Sequence, residues 1–154
     1  MNLHRIFGLN QGFLTQLELL EDYCKSLQWW LNFDLTAYVS DDRNCGLAEH
    51  YMQLAIEVVL DVCRHLVIAL ELKTPSDSAG LLPALEKAGL LSAEFVKRNN
   101  GMAGFRNRLV PVYESIDHEL TYDFLQKPLA DFQEFIRQIS QFVLREEHST
   151  NSGR

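Results

Sequence analysis

LAEHYMQLAIEVVLDVCRHLVIALEL, residues 47–72, is the stretch on which the fold turns. Leu47, Tyr51, Leu54, Val58, Val62 and Leu66 recur at helical spacing along one face. Val59, Leu60, Cys63, Val67 and Ile68 fill most of the remaining circumference. A helix apolar almost all round has to sit in the middle of its domain, with other helices on several sides. Its interruptions are Asp61, Arg64 and His65. Asp61 and His65 stand four apart, which puts them on one face with Arg64 alongside. Two readings are open: a satisfied polar cluster at the edge of the core, or a wall of an anion site, since buried ionisable groups need partners. The same residues keep the run below the roughly 18 apolar residues that a membrane span requires.

Outward from this helix, residues 14–34 form a second amphipathic one, with Phe13, Leu17, Leu20, Cys24, Leu27 and Leu31 in a single stripe. Trp29, Trp30 and Phe33 widen the stripe and belong either to the core or to an interface. Residues 39–46, VSDDRNCG, have loop composition. On the other side, TPSDSAG (74–80) is a turn, and residues 81–88 make a short helix that Gly89 closes. Ser92 caps the next helix, with Glu94 in its first turn. Asp117 caps residues 119–126, and Pro128 restarts the chain in a first-turn position. Tyr122, Leu125, Leu129, Phe132, Ile136, Ile139 and Val143 then run at heptad-like spacing. No alternating run bounded by hairpin turns occurs. The expectation is an all-α, antiparallel up-down four-helix bundle with one or two extra short helices. It forms one domain over 1–147, and the polar residues 148–154 are expected to be a disordered tail.

Composition narrows the class further. The 154 residues are 47% hydrophobic and 23% charged, as in a soluble globular domain. Cys24, Cys45 and Cys63 are scattered and odd in number, which implies neither a disulfide frame nor a zinc site, and no other metal site is expected. The start, MNLHRIFGLNQGF, lacks the apolar core and cleavage site of a signal peptide. A reduced, cytoplasmic protein with no membrane partner is expected. The net charge of -7 argues against a general nucleic-acid coat, but leaves room for one local basic groove.

That groove is expected in GMAGFRNRLVPVY, residues 101–113. Between Glu94 and Glu114 the chain carries Lys97, Arg98, Arg106 and Arg108 and no acid, the one place suited to an anion such as RNA. At about 100° per residue, Lys97, Gly101, Gly104 and Arg108 align on one face, with the glycines leaving room for close approach. Other chemistries are not indicated. Glu-x-x-His pairs for a di-iron centre, a glycine-rich phosphate loop, a Ser-His-Asp order and HExxH are all missing.

MAGFRNRLVPVYESID, followed by LTYDFL and DFQEFI, resembles the HEPN-domain toxins of the HepT type, and HYMQLAIEVVLDVCRHL is similar to their second helix. The resemblance runs from about residue 12 to about residue 144. The family signature is Arg, four residues, His, one residue, Tyr. Arg106 matches the arginine, Asn107 the asparagine commonly beside it, and Tyr113 the tyrosine, while Pro111 occupies the histidine position. The resemblance implies a metal-independent endoribonuclease without cofactors, cutting transfer or messenger RNA at a composite homodimer cleft. It also implies a partner, an MNT-type nucleotidyltransferase antitoxin that adenylylates Tyr113.

The residue types suit that chemistry. Arginine stabilises a phosphorane-like transition state, and histidine moves a proton to or from ribose oxygens. On an ideal helix position 111 lies about 140° round from Arg106, so two copies about a two-fold axis would be needed to gather both groups. Proline has no titratable group and costs about 3 kcal/mol inside a helix. This chain is therefore either a detoxified variant of an active toxin, whether natural or introduced, or a member whose role is binding alone. Asn107 is read as a positioning group beside Arg106, and Lys97, Arg98 and Arg108 as RNA contacts.

Overall fold

The computed structural model describes residues 10–109 and 117–153, and every regular element among them is helical. Pro111 and Tyr113 lie outside the described residues. In chain order the helices are α1 (Asn10–Trp30), α2 (Leu35–Val39), α3 (Asp42–Ala69), α4 (Leu81–Lys87), α5 (Ala93–Asn99), α6 (Met102–Arg108), α7 (His118–Gln126) and α8 (Pro128–Asn151). A 3-10 turn, Ser78–Gly80, precedes α4.

The central position expected for residues 47–72 is where α3 lies, packed against α1, α2, α4, α6, α7 and α8. Ala48, Met52, Ala55, Ile56, Val59, Leu60, Val62 and Cys63 are buried around its circumference. The helix starts at Asp42, earlier than the loop composition of 39–46 suggested. Asp41 accounts for this, since its carboxylate accepts from the backbone N–H of Arg43 (3.0 Å) and of Asn44 (3.4 Å). Leu47 and Ile68, assigned to the apolar faces, are exposed instead.

Contacts between helices give the register. Gln16 meets His65 and Trp30 meets Tyr51, so α1 and α3 run antiparallel. A groove brings Phe13 beside Val143 and another brings Cys24 beside Ile136, so α1 and α8 are also antiparallel. Ser92 meets Gln138, Phe95 meets Phe135 and Arg98 meets Asp131, so α5 descends against α8.

Three of the expected long helices are continuous, and the fourth is jointed. Asn99, buried, turns its amide to donate to the Phe95 carbonyl at 2.9 Å, an alternative to the helical ladder. Asn100 and Gly101 then separate α5 from α6. The Trp pair divides between its two readings: Trp30 is buried, while Trp29 is 54% exposed and packs edge-on against Trp30 and Phe33. At the other end α8 continues to Asn151, beyond residue 147 where the sequence suggested order would stop. Both helix stops around α4 follow one geometry. Gly89 (φ 85°) closes α4, with Leu90 N–H donating to Leu85, and Glu71 (φ 55°) closes α3, with Leu72 N–H donating to Val67.

Candidate functional site

Helix α6 is short, and its position is set by what lies beneath it. Met102, Ala103 and Phe105 are buried, and the helix packs on α3 and on the 3-10 turn. Phe105 also stacks on Phe124 of α7, with ring centroids 3.5 Å apart and planes at 10°. These contacts anchor one side of α6 and leave the other to solvent. Arg106 is half-buried, and Asn107 and Arg108 are exposed. Among the described residues no carboxylate forms an ion pair with Arg106, Arg108 or Lys97.

A groove of about 460 Å³ runs along the joint between α5 and α6. Arg98, Asn99, Asn100, Gly101, Gly104 and Arg108 line it, together with Met102, Phe105 and Phe124, and no acid is among them. Gly101 and Gly104 have nothing within 4 Å of where a Cβ would stand, so space over them is open. The stripe expected on a single helix, Lys97–Gly101–Gly104–Arg108, is thus changed at one place. With the helix jointed at Asn100 and Gly101, the lining cation from α5 is Arg98 rather than Lys97. Arg98 is not fully available, because its guanidinium Nη2 lies 3.0 Å from Asp131 Oδ1 of α8.

The Asp61–Arg64–His65 cluster comes apart. Arg64 pairs with Asp61 at 2.6 Å and donates to Ser78 Oγ at 3.0 Å, on the turn that packs against α6. His65 turns away, its Nδ1 3.1 Å from Gln16 Oε1 on α1. Arg64 and Asp61 therefore border the α6 region, whereas His65 belongs to the α1–α3 seam.

A polar cluster of a different kind was missed in the sequence. Glu49 is only 2% exposed, and its Oε1 lies 2.6 Å from His118 Nδ1 and accepts from Thr121 Oγ1 at 2.7 Å. Tyr38 lies against it, and burial raises its phenol well above the usual tyrosine range. The signal was present, since Glu49 is one turn from Cys45 and from the apolar residues that follow on a buried face. All three cysteines are buried thiols, and burial pushes Cys24 up to about 12. Burial of this kind makes a thiol a weak nucleophile at neutral pH.

Comparison with solved structures finds the same helical fold in a HEPN toxin. The chain superposes on tri-AMPylated Shewanella oneidensis HEPN toxin in complex with MNT antitoxin with a TM-score of 0.77, at 20% identity, covering 86% of this chain and 98% of that one. A toxin–antitoxin structure with AMP-PNP gives a TM-score of 0.66 at 18% identity, covering 84% and 98%. The family model Ribonuclease HepT-like matches residues 14–139, and the chain belongs to that family. A tRNA nuclease HepT of Aphanizomenon flos-aquae (strain 2012/KM1/D3) is 26% identical over 130 residues, 84% of this chain and 88% of that protein. Among the described residues no helix is long and apolar enough to cross a membrane.

Proposed function

We propose that this chain is the toxin of a toxin–antitoxin pair, a cytoplasmic, metal-independent RNA endonuclease of the HepT type whose turnover is attenuated by Pro111. The observation that carries the reading is the pair Arg106 and Arg108, unpaired among the described residues, at the end of a solvent-facing helix in a chain of this ribonuclease family. A guanidinium with no internal carboxylate partner keeps its donors for a phosphate. Arg106, half-buried, is the transition-state binder, because partial desolvation strengthens its field on a developing phosphorane charge. Asn107 orients the backbone of the RNA. Arg108 and Arg98 lead a single strand along the acid-free groove, with Lys97 at its margin and Asp61–Arg64 as its outer wall. The kinship to a tRNA nuclease favours transfer RNA over messenger RNA as substrate.

Two chains supply the composite cleft as a homodimer, and the partner that silences it is an MNT-type nucleotidyltransferase adenylylating Tyr113. The fold shared with an AMPylated toxin in complex with its MNT antitoxin supports this assignment. A phosphodiester charge and a base added to Tyr113, in the same motif as Arg106, would exclude an RNA phosphate by repulsion and by occupancy.

The test compares this chain with its Pro111→His version on total cellular RNA. Weak cutting by the parent, strong cutting by Pro111→His and loss of both on Arg106→Ala are expected. If neither version cuts RNA and Arg106→Ala changes nothing, the nuclease reading is lost. Pro111 favours one further reading, a non-catalytic partner of the nucleotidyltransferase. In that case Pro111→His would remain inactive on RNA while Tyr113 still gained adenylate, detectable by mass spectrometry after co-expression.

A further inference from the structure

The first turn of α3 and the first turn of α7 bring together three metal-ligating side chains that the RNA chemistry does not use. One ligand atom from each of Asp42, Cys45 and His118 lies within 4.8 Å of the other two. Asp42 and Cys45 are three apart on α3 and so share a face, and His118 reaches them from the other helix. Cys45 is fully buried, His118 half-buried and Asp42 exposed, so the cluster has a closed side and an entrance.

A second observation lies one turn further along α3. Glu49 holds His118 Nδ1 through Oε1, while its Oε2 is buried with no hydrogen-bond partner among the described residues. A buried carboxylate oxygen left in that condition is costly unless positive charge stands nearby. The arrangement in which a carboxylate takes one ring nitrogen of a histidine is the one that frees and orients the other nitrogen for a metal. The donor set of one thiolate, one imidazole and one carboxylate suits zinc better than magnesium or calcium, which prefer oxygen alone.

From this geometry we infer that Asp42, Cys45 and His118 form a zinc-binding site, with Glu49 as the positioning residue behind His118. Bond lengths near 2.0–2.3 Å put the ligand atoms of a tetrahedral zinc about 3.3–3.7 Å apart. Closing from 4.8 Å takes about an ångström of side-chain adjustment, which the exposed Asp42 and half-buried His118 supply. On binding, a Zn–S bond forms and the Cys45 thiol proton passes to solvent. His118 binds through Nε2, its Nδ1–H remaining on Glu49, and water takes the fourth position. The ion would tie the start of α3 to the start of α7. It would thereby fix the chain immediately after the sequence segment that holds Pro111 and Tyr113.

The experiment uses the full chain, stripped with a chelator and titrated with cobalt(II) as a spectroscopic stand-in for zinc. One cobalt per chain is expected, with a thiolate-to-cobalt charge-transfer band and tetrahedral d–d absorption, both abolished when zinc is added. Cys45→Ala should remove the thiolate band, and Cys24→Ala should keep it. His118→Gln should weaken cobalt binding by about tenfold or more. Circular dichroism reports whether each variant is folded; if Cys45→Ala is not, the His118→Gln affinity decides. Absence of a thiolate band in the parent, its survival in folded Cys45→Ala, or an unchanged affinity in His118→Gln would each overturn the site. None of these readouts involves RNA, so the outcome is separate from that of the nuclease assay.

Discussion

Two polar regions of this molecule differ in how they keep their charge. Around Glu49 one carboxylate oxygen is committed, since Oε1 is bonded to an imidazole and a hydroxyl from another helix, while Oε2 has no partner among the described residues. Along α6 the guanidinium groups of Arg106 and Arg108 have no acidic partner among the described residues, and both stand at the end of a short helix facing solvent. The first region uses polarity to join α3 to α7. The second leaves its charge uncommitted, in the condition a polyanion can exploit. An acidic chain can thus contain a basic site, because local pairing rather than net charge decides what a cation meets.

Removing one partner from the committed region should give the largest effect on stability. Glu49→Ala would take the shared acceptor from His118 Nδ1 and Thr121 Oγ1, leaving Thr121 its bond to the His118 carbonyl, and would open a cavity beside Tyr38, at a cost of about 3 kcal/mol. Urea unfolding followed by circular dichroism measures it. A midpoint within error of the parent would mean that the cluster is incidental to the α3–α7 contact. Glu49→Gln keeps an acceptor and should cost less than half as much, about 1 kcal/mol.

The contrast between these regions also marks what the sequence could disclose. The all-α bundle was legible because hydrophobic periodicity is a local property, clear in residues 47–72 and in the stripe through Leu17, Leu20, Cys24 and Leu27. The caps at Ser92 and Asp117 were legible for the same reason, each accepting from a backbone N–H three residues on. The joint at Asn99–Gly101 was not, since it depends on whether an asparagine amide bonds to solvent or back to Phe95. Arg106, Asn107 and Arg108 stood out through their motif and an acid-free neighbourhood. Yet the ion pair that Arg98 makes with Asp131 is a contact across 33 positions, invisible to any pattern of spacing. Asp61 with His65 misled for the opposite reason: helical spacing placed them on one face, but Gln16 of another helix drew the imidazole away.

That long-range pair gives a way to move the α5–α6 region toward fuller availability. Asp131→Asn should release Arg98 into the groove, strengthening binding of a single-stranded RNA and steepening its salt dependence. The pair is largely exposed at Arg98 and Asp131 sits in the first turn of α8, so stability should fall by less than about 1 kcal/mol. Fluorescence anisotropy at several salt concentrations reads the affinity. Weaker binding in this variant would show that Asp131 positions Arg98 rather than competing for it.

The smallest stability effect belongs to Arg108→Ala, and there the comparison is sharpest. Arg108 is exposed and has no ion-pair partner among the described residues, so its loss should change the unfolding midpoint by no more than about 0.5 kcal/mol. If it meets a phosphate, binding should weaken for every RNA sequence alike, because backbone charge carries no base information. The slope of log K against log salt should fall in magnitude by about 0.7, the share of one phosphate contact on a single strand. A fall in affinity at unchanged slope would point instead to a base or stacking contact beside Phe124 in the same groove. An unchanged affinity would place the RNA path elsewhere, with Arg106 left as the only cation of α6 in contact with it.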